Sequence, residues 1–320
     1  MADITVDSDF LRRFEAGLDP LHPERSVIPA QVLGYGEIST VIAMEGGDPN
    51  LVYKRMPLFH SEAEAAAYAQ LYNDSQAVYA DIGVQTAPGA MVWFAAENGR
   101  YTVIYLAQQK LPVHAIANKT VHQLDAAAAL TLFAAVLGEL QKVFAFNETN
   151  RGQVEVGFDG QLSNWAVADL DPAVGGLPDP VQLVYFDTNS PLLRKNGAEQ
   201  LNAEIFLRSA PSFLVGLLKR LYLEEITTRY YDPRKVVIDL LGNLYKEQRP
   251  ELIPDLVGLS NEYFAGRSGF SPITPEEVER YYREDAFIWR LYLSSRRLDR
   301  TLHRLWGKPY IHILPGKIKR

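Results

Sequence analysis

The chain contains no cysteine among its 320 residues. Disulfide bonds, thiolate nucleophiles and cysteine-based zinc or iron–sulfur sites are therefore excluded. An excess of positive charge is missing as well, because the formal net charge is −7 at pH 7. Proteins whose main partner is nucleic acid or a membrane surface usually present a basic face. We therefore expect neither a nucleic-acid nor a membrane partner, although a local group of lysines and arginines can still bind phosphate.

A long apolar run is also missing. The longest one, residues 124–140, contains Asp125 and Glu139, whereas a transmembrane helix needs roughly 20 apolar residues. The N-terminus is acidic and amphipathic and lacks the basic and apolar regions of a signal peptide. With 47% hydrophobic and 22% charged residues, the composition is typical of a globular protein. We expect a soluble, cytoplasmic protein of one or two domains.

Three short segments near the start of the chain are rich in β-branched residues and bounded by turn-forming residues, which predicts strands. These segments are residues 27–34, 39–46 and 51–56. Residues 60–83 contain no proline and predict a helix whose first turn fits a capping box of Ser61 and Glu64. Residues 90–108 predict a hairpin that turns at residues 97–99.

Helical patterns dominate after Pro112. Helices are predicted over residues 121–146, 198–223, 233–247, 250–264 and 274–305. Short strands are predicted between the first two helices, at residues 153–158, 162–168 and 182–186. In the last helix apolar residues recur at near-helical spacing, and we expect Trp289, Trp306 and Tyr310 to pack it onto the rest of the protein.

This order of elements predicts an α+β protein with two lobes. Residues 1–110 form an N-terminal lobe, a β-sheet with one main helix, in which residues 1–27 are an extension. Residues 111–320 form a larger, mostly helical C-terminal lobe. The connector between the lobes lies at residues 108–112, where Pro112 ends the strand pattern.

Two motifs of the first lobe carry candidate chemistry. Gly34 and Gly36 lie between two predicted strands, where a backbone without Cβ can approach phosphates closely. A plain hairpin turn explains the same glycines. Lys54 lies in an otherwise apolar strand, which is costly unless its ammonium group reaches solvent or an anion. Alternation along the strand places Lys54 and Arg55 on opposite faces of the sheet.

Two further motifs lie in the second lobe. The stretch VGFDGQLSNWAV holds Asp159 and Asn164 five residues apart. It is either a β-hairpin with a turn at Asp159-Gly160 or a catalytic loop that holds one carboxylate and one amide. Asp187 ends an apolar strand, which is a common place for a metal ligand, but an aspartate there can equally cap the next turn.

The order of these motifs resembles the protein-kinase-like fold, and is closest to the small-molecule branch that includes aminoglycoside phosphotransferases and choline kinases. The motifs follow one another between about residues 30 and 190 in this order: a glycine loop, a strand lysine, an acidic helix, a connector, a long helix, a loop with Asp and Asn five apart, and a strand ending in Asp. The resemblance implies an enzyme that uses ATP and Mg²⁺ to phosphorylate a hydroxyl group of a small-molecule acceptor.

The resemblance also implies roles for individual residues. Asp159 would be the catalytic base, and Asn164 and Asp187 would bind Mg²⁺. The residues assigned to the nucleotide are Gly34, Gly36, Ser39, Lys54, Glu64, Gln108 and Gln109. Gln108 and Gln109 belong to the connector, whose backbone N–H and C=O groups would hold the adenine.

One pair in this set has two candidates. Lys54 would contact the α- and β-phosphates, and a glutamate on the following helix would steady it. Glu64 has the better helical phase, but it also fits the capping box, so Glu62 stays open. Both glutamates follow Lys54 at a shorter distance along the chain than is usual in the family.

Two positions depart from the family pattern. Gly157 stands two residues before Asp159, where the family usually has His or Tyr, and Thr188 stands where protein kinases have glycine. Three other interpretations stay open: a nucleotide-binding regulator or pseudokinase that does not transfer phosphate, a nucleotidyl transferase, and a structural protein in which Asp159-Gly160 is a turn. The sequence names neither the acceptor nor the oligomeric state.

Overall fold

A computed structural model describes residues 4–36, 38–97, 99–208, 210–211, 214–216, 219 and 228–315. The protein is a mixed α+β structure with a five-stranded antiparallel sheet and many helices. Two predicted features fall partly outside the described residues. These are the hairpin turn at residues 97–99, of which Asn98 is not described, and the second half of the helix predicted over residues 198–223.

The main sheet comes from the N-terminal third of the chain. Its strands are β1 (Ala30–Tyr35), β2 (Thr40–Met44), β3 (Leu51–Phe59), β4 (Gly89–Ala95) and β5 (Thr102–Gln109). They lie in the order β1-β2-β3-β5-β4, and every neighbouring pair is antiparallel. The three predicted strands and the predicted hairpin strands are thus confirmed, with ends that differ by a few residues.

Each face of the sheet is covered by one helix. The first helix, α1 (Ser8–Ala16), packs Leu11 and Phe14 onto one face, where Ile313 from the C-terminal segment joins them. The second, α2 (Glu62–Ile82), packs Tyr68 and Tyr72 onto the other face. The segment expected to be an N-terminal extension therefore completes one of the two apolar layers of the sheet.

Further helices with described bounds follow the sheet in the chain. They are α3 (Ala117–Thr120), α4 (Ala126–Thr149), α5 (Glu204–Leu207), α6 (Pro233–Lys246), α7 (Ile253–Tyr263) and α8 (Pro275–Leu305). Of the helices in the described ranges, α4 is the one that could cross a membrane by length and composition. It lies in the largest apolar cluster, in which Leu132, Phe133, Leu137 and Leu140 are fully buried. The prediction of a buried core helix is confirmed.

Five short strands form two small sheets. One contains β6 (Val154–Val156), β9 (Leu193–Lys195) and β10 (Ala198–Glu199), and the other contains β7 (Trp165–Val167) and β8 (Leu183–Tyr185). The prediction that a helix starts at residue 198 is wrong. Asn196 and Gly197 have φ of +53° and +75° and make a tight turn that joins β9 to β10. The first helix after this turn is α5.

Candidate active site

A cleft of about 770 Å³ opens between the five-stranded sheet and the helices that follow it. Most of the predicted site residues line this cleft, although they come from distant parts of the chain. Those that do are Gly34, Gly36, Ser39, Lys54, Gln108, Gln109, Asp159, Asn164 and Asp187. Glu64 is the predicted site residue that is not part of the described lining.

The loop with Asp159 and Asn164 is not a hairpin. The strand before it, β6, pairs with β9, and the strand after it, β7, pairs with β8. Gly160 is needed for packing, because a Cβ there would lie 2.8 Å from Leu140 Cδ2 and 3.0 Å from Val236 Cγ1. The glycine therefore lets the loop lie directly on α4 and α6, which leaves Asp159 at the surface of the cleft.

Hydrogen bonds fix the conformation of this loop. The backbone N–H of Gln161 donates to Asp159 Oδ1 at 3.1 Å. The side-chain amide of Asn164 donates through Nδ2 to the backbone oxygen of Asp159 at 3.3 Å. The oxygen of the Asn164 amide accepts from the Ser163 hydroxyl at 3.5 Å and keeps a second lone pair that can contact a ligand.

Gly157 has a close neighbour at the position where the family usually has an imidazole or phenol ring. A Cβ on Gly157 would lie 2.7 Å from Leu192 Cβ, so no ring fits there without a shift of the backbone. Support comes instead from Tyr79 on α2, whose hydroxyl donates to the Gly157 carbonyl at 3.2 Å. Phe158 stacks on Tyr185 with 4.4 Å between ring centroids. An aromatic cluster thus packs under the loop.

Lys54 is held by the segment that follows β8. Its Nζ donates to the Phe186 carbonyl at 2.7 Å and to Asn189 Oδ1 at 2.9 Å, and it lies 3.4 Å from Asp187 Oδ1. The side chain is buried, and burial lowers the pKa of Lys54 while Asp187 acts in the opposite direction. The hydroxyl of Tyr68 on α2 donates to the Asn189 carbonyl at 2.5 Å. Helix α2 therefore reaches Lys54 through Asn189.

The predicted pair of Lys54 with Glu64 is wrong. Glu64 instead binds Arg208 through both carboxylate oxygens, at 2.7 and 2.8 Å. Glu62 does not replace it, because its carboxylate accepts a backbone N–H of β4 at 3.3 Å. The reason is the length of β3, which continues from Lys54 to Phe59 at about 3.3 Å per residue and carries the start of α2 away from the lysine.

Sequence reasoning missed a second carboxylate beside the loop that holds Asp159 and Asn164. Asp239 on α6 is buried and accepts from Gln161 Nε2 at 3.0 Å and from the Tyr281 hydroxyl at 2.8 Å. Arg229 Nη2 lies 3.5 Å from Asp239 Oδ2, the oxygen that accepts from Gln161. A signal was present, because Asp239 interrupts the apolar run VVIDLLGNL of a predicted helix, and a buried charge needs partners.

Burial and neighbouring charges change the pKa of two aspartates in the cleft. Burial raises the pKa of Asp159 well above its ordinary value, and the negative charges of Asp239 and Asp187 raise it further. Burial also raises the pKa of Asp239, against the effect of Arg229. A carboxylate with a raised pKa is a stronger proton acceptor than an ordinary aspartate, as a general base at neutral pH requires.

Comparison with known proteins assigns the chain to a family without assigning a function. Residues 23–300 match the model of a family of unknown function, DUF6206. The chain belongs to this family. No curated protein matches it. One similar solved structure is "WaaP in complex with acyl carrier protein", with 14% sequence identity, a TM-score of 0.34, and coverage of 81% of this chain and 98% of that chain. Because the identity and the TM-score are this low, the likeness shows neither the fold nor the function of the DUF6206 chain.

The glycine loop and the connector of the DUF6206 chain border the same cleft. The backbone N–H of Gly36 donates to the Ser39 carbonyl at 2.9 Å and closes the short connection between β1 and β2. Glu37, within this connection, lies outside the described residues. In the connector, the buried Gln108 donates through Nε2 to Thr188 Oγ1 at 3.2 Å. Thr188 thus ties the segment after β8 to β5.

The donor set of this DUF6206 member fits a magnesium ion. Asn164 and Asp187 both line the cleft and offer oxygen atoms, the ligands that Mg²⁺ prefers. The described residues contain no group of three or more His, Asp or Glu side chains arranged to hold a metal ion. An ion bound here would therefore take its other ligands from phosphate oxygens and water, as Mg²⁺ often does in nucleotide sites.

Proposed function

We propose that this protein transfers a phosphoryl group from ATP to a hydroxyl group of a small molecule, with Mg²⁺ as cofactor. In this proposal the fold is a two-lobed, kinase-like one. Residues 1–110 are the nucleotide-binding lobe, and residues 111–320 carry the catalytic loop and the acceptor site. The observation that carries the proposal is the convergence of Lys54, Asp159, Asn164 and Asp187 on one cleft, with Lys54 and Asp187 3.4 Å apart. Cytoplasmic localisation belongs to the same proposal.

Each residue has a role that its surroundings support. Asp159 accepts the proton of the acceptor hydroxyl, because burial and two neighbouring carboxylates raise its pKa. Lys54 places a positive charge on the phosphates, and its three oxygen partners fix the position of Nζ. Asn164 and Asp187 hold Mg²⁺, which when bound neutralises phosphate charge. The glycine loop at residues 34–39 covers the phosphates, and the backbone near Gln108 and Gln109 borders the adenine.

Nucleotide binding is the first expected result. ATP with Mg²⁺ at about 100 times its dissociation constant should stabilise the folded protein by about 2.7 kcal/mol, which thermal denaturation detects as a rise in Tm. Lys54→Met should remove most of this ligand-induced rise, since it removes the charge that faces the phosphates. The matched control is Lys142→Met, which changes a surface pair with Glu139 and should keep the full rise. A wild-type protein whose Tm does not respond to ATP would contradict the proposal.

Asn189 is expected to position Lys54 in place of the usual glutamate. Asn189→Ala removes one hydrogen bond to a charged group, worth about 1.5–3 kcal/mol, so kcat/KM for ATP should fall about 10- to 100-fold. Asn189→Asp keeps an oxygen for Nζ and should stay close to wild type. Glu64→Gln is the control, because Glu64 binds Arg208 and not Lys54. If Glu64→Gln raised KM for ATP and Asn189→Ala did not, the assignment would be wrong.

The nature of the transferred group separates the proposal from its alternatives. Incubation with ATP, Mg²⁺ and a library of small hydroxyl compounds should yield a product heavier by one phosphate, detected by mass spectrometry. A product heavier by AMP would indicate nucleotidyl transfer instead. A third outcome is that the protein binds ATP but yields no product with any compound of the library. If Asp159→Ala also had no effect in the cell, the protein would be a nucleotide-binding regulator.

A further inference from the structure

Helix α8 exposes apolar side chains along most of its length. Phe287, Leu291, Leu298 and Leu305 are 61%, 50%, 51% and 74% exposed, and Trp306, directly after the helix, is 64% exposed. The expectation that Trp306 packs onto the protein is therefore wrong. Single exposed apolar residues are common, but a contiguous row of them marks an interaction surface.

The spacing of these residues places them in one row, here called the α8 stripe: Phe287, Leu291, Leu298 and Leu305. Consecutive members are four, seven and seven residues apart, so they lie on one side of the helix. Ser294 and Thr301 fill the gaps in the row and are exposed as well. The opposite side of α8, with Val278, Ala286 and Leu293, is buried against the rest of the protein.

Positive charge borders the α8 stripe. Arg290 and Arg304 are exposed, lie fourteen residues apart and therefore stand on the same flank of the helix. From Arg290 to Lys308, both included, the sequence has six arginines and lysines and one acidic residue, Asp299. This local excess of positive charge contrasts with the net charge of −7 for the whole chain.

We propose that the α8 stripe docks on an anionic lipid surface. An interfacial helix combines an apolar face that contains Phe, Leu and Trp with arginines and lysines that meet lipid phosphates. The stripe and its arginine flank have this composition. Since the other side of α8 is already packed, the helix would lie in the plane of the surface without leaving the protein. The expectation of no membrane partner, drawn from net charge alone, would then be wrong.

A second copy of the chain fits the stripe less well. In an antiparallel pair centred on the stripe, Arg290 of one copy would lie near Arg304 of the other, and like charges repel. That arrangement brings the arginines of the two copies together, whereas a layer of anionic lipid headgroups offers them negative charge.

The test is co-sedimentation of the full chain with lipid vesicles. Vesicles with equal parts phosphatidylglycerol and phosphatidylcholine should bind the protein, and vesicles of phosphatidylcholine alone should not. The double variant Leu291→Ser/Leu298→Ser and the double variant Arg290→Glu/Arg304→Glu should each weaken binding at least tenfold. Raising the salt concentration should also weaken it.

Control variants change exposed residues elsewhere. Val27→Ser and Val174→Ser, at positions 82% and 80% exposed, should bind vesicles as wild type does. The absence of wild-type binding to the anionic vesicles would overturn the proposal. The proposal would also be overturned if Arg290→Glu/Arg304→Glu lost vesicle binding while Leu291→Ser/Leu298→Ser kept it. A dimer in solution that Leu291→Ser/Leu298→Ser converts to a monomer, without vesicle binding, would assign the stripe to a second copy instead.

Discussion

Replacement of Asp159 by asparagine is expected to lower kcat by a factor of about 10²–10⁴, the range that a general base contributes. Asparagine keeps the size of the side chain and an oxygen that can accept the Gln161 N–H, but it cannot take up a proton. Because the change affects the chemical step, KM for ATP should stay within a few-fold of the wild-type value. Steady-state kinetics with an accepted substrate measures both quantities.

The same substitution is expected to stabilise the metal-free protein at neutral pH. The pKa of Asp159 is raised in the folded state, so the folded protein binds this proton more tightly than the unfolded chain does. The stability that the group contributes is therefore fully present below its unfolded pKa of about 3.9 and is lost as pH rises through the folded value. The neutral amide of the Asp159→Asn variant has no such dependence. The Tm of this variant should therefore exceed that of wild type at pH 7 but not at pH 4.

The pH dependence of activity follows from the same shift. Asp159 must be ionised to accept a proton, so wild-type kcat should rise with pH as the raised pKa is passed. Asp81→Asn is the matched control, because Asp81 is exposed on α2 and should alter neither kcat nor Tm. Wild-type kcat in Asp159→Asn would refute the role of Asp159 as base. If Asp159→Asn lowered kcat but left the Tm at pH 7 unchanged, the ionised carboxylate of Asp159 would not destabilise the folded protein.

Features that depend on neighbours along the chain were predictable from the sequence. Alternation along β3 separated Lys54, which lies in the cleft, from Arg55, which lies on the opposite face of the sheet. The order of the motifs singled out Lys54, Asp159, Asn164 and Asp187, and these four side chains line one cleft. Each of these side chains stands on or directly after a strand or loop with a strong local pattern.

Features that depend on contacts across the chain were not predictable in the same way. Asp159-Gly160 has the pattern of a hairpin turn, but the glycine is there because the loop packs directly on α4 and α6. One partner of Lys54 is Asn189, 135 residues away in the sequence, and no local pattern indicates this pair. The position of Asp239 beside Gln161 likewise depends on how α6 packs. In contrast, the Asn196-Gly197 turn was a local signal that the sequence reasoning did not use.

Glu15→Gln is expected to destabilise the protein more than any surface substitution. Glu15 on α1 binds Arg55 on β3 through two hydrogen bonds, at 2.8 and 2.6 Å, and both side chains are buried. The hydroxyls of Tyr101 and Tyr105 also donate to the Glu15 carboxylate. Burial alone would raise the pKa of Glu15, but Arg55 and the two tyrosines bring it below its ordinary value. The pair is therefore ionised at neutral pH.

Removing one partner leaves the other charge buried without compensation, which costs about 3–5 kcal/mol. Arg55 also donates to the Ile311 carbonyl at 2.8 Å, so the loss should loosen the C-terminal segment as well as α1. Thermal and urea denaturation measure the effect. Since the pKa of Glu15 is lowered, the stability from this pair is present above the unfolded pKa of about 4.3 and is lost as pH falls. The difference between wild type and Glu15→Gln should therefore shrink in acid.

Two further variants separate the ion pair from its hydrogen-bonded surroundings. Glu15→Gln/Arg55→Met removes both charges, and replacing a whole buried pair is often neutral, so the double variant should recover most of the lost stability. Glu24→Gln changes an exposed glutamate near His22 and Arg25 and should leave the Tm unchanged. If Glu15→Gln and Glu24→Gln had the same small effect, Glu15 would not hold α1 to the sheet. If the double variant were less stable than Glu15→Gln, the contacts of Arg55 with Tyr101 and Ile311 would matter more than its charge.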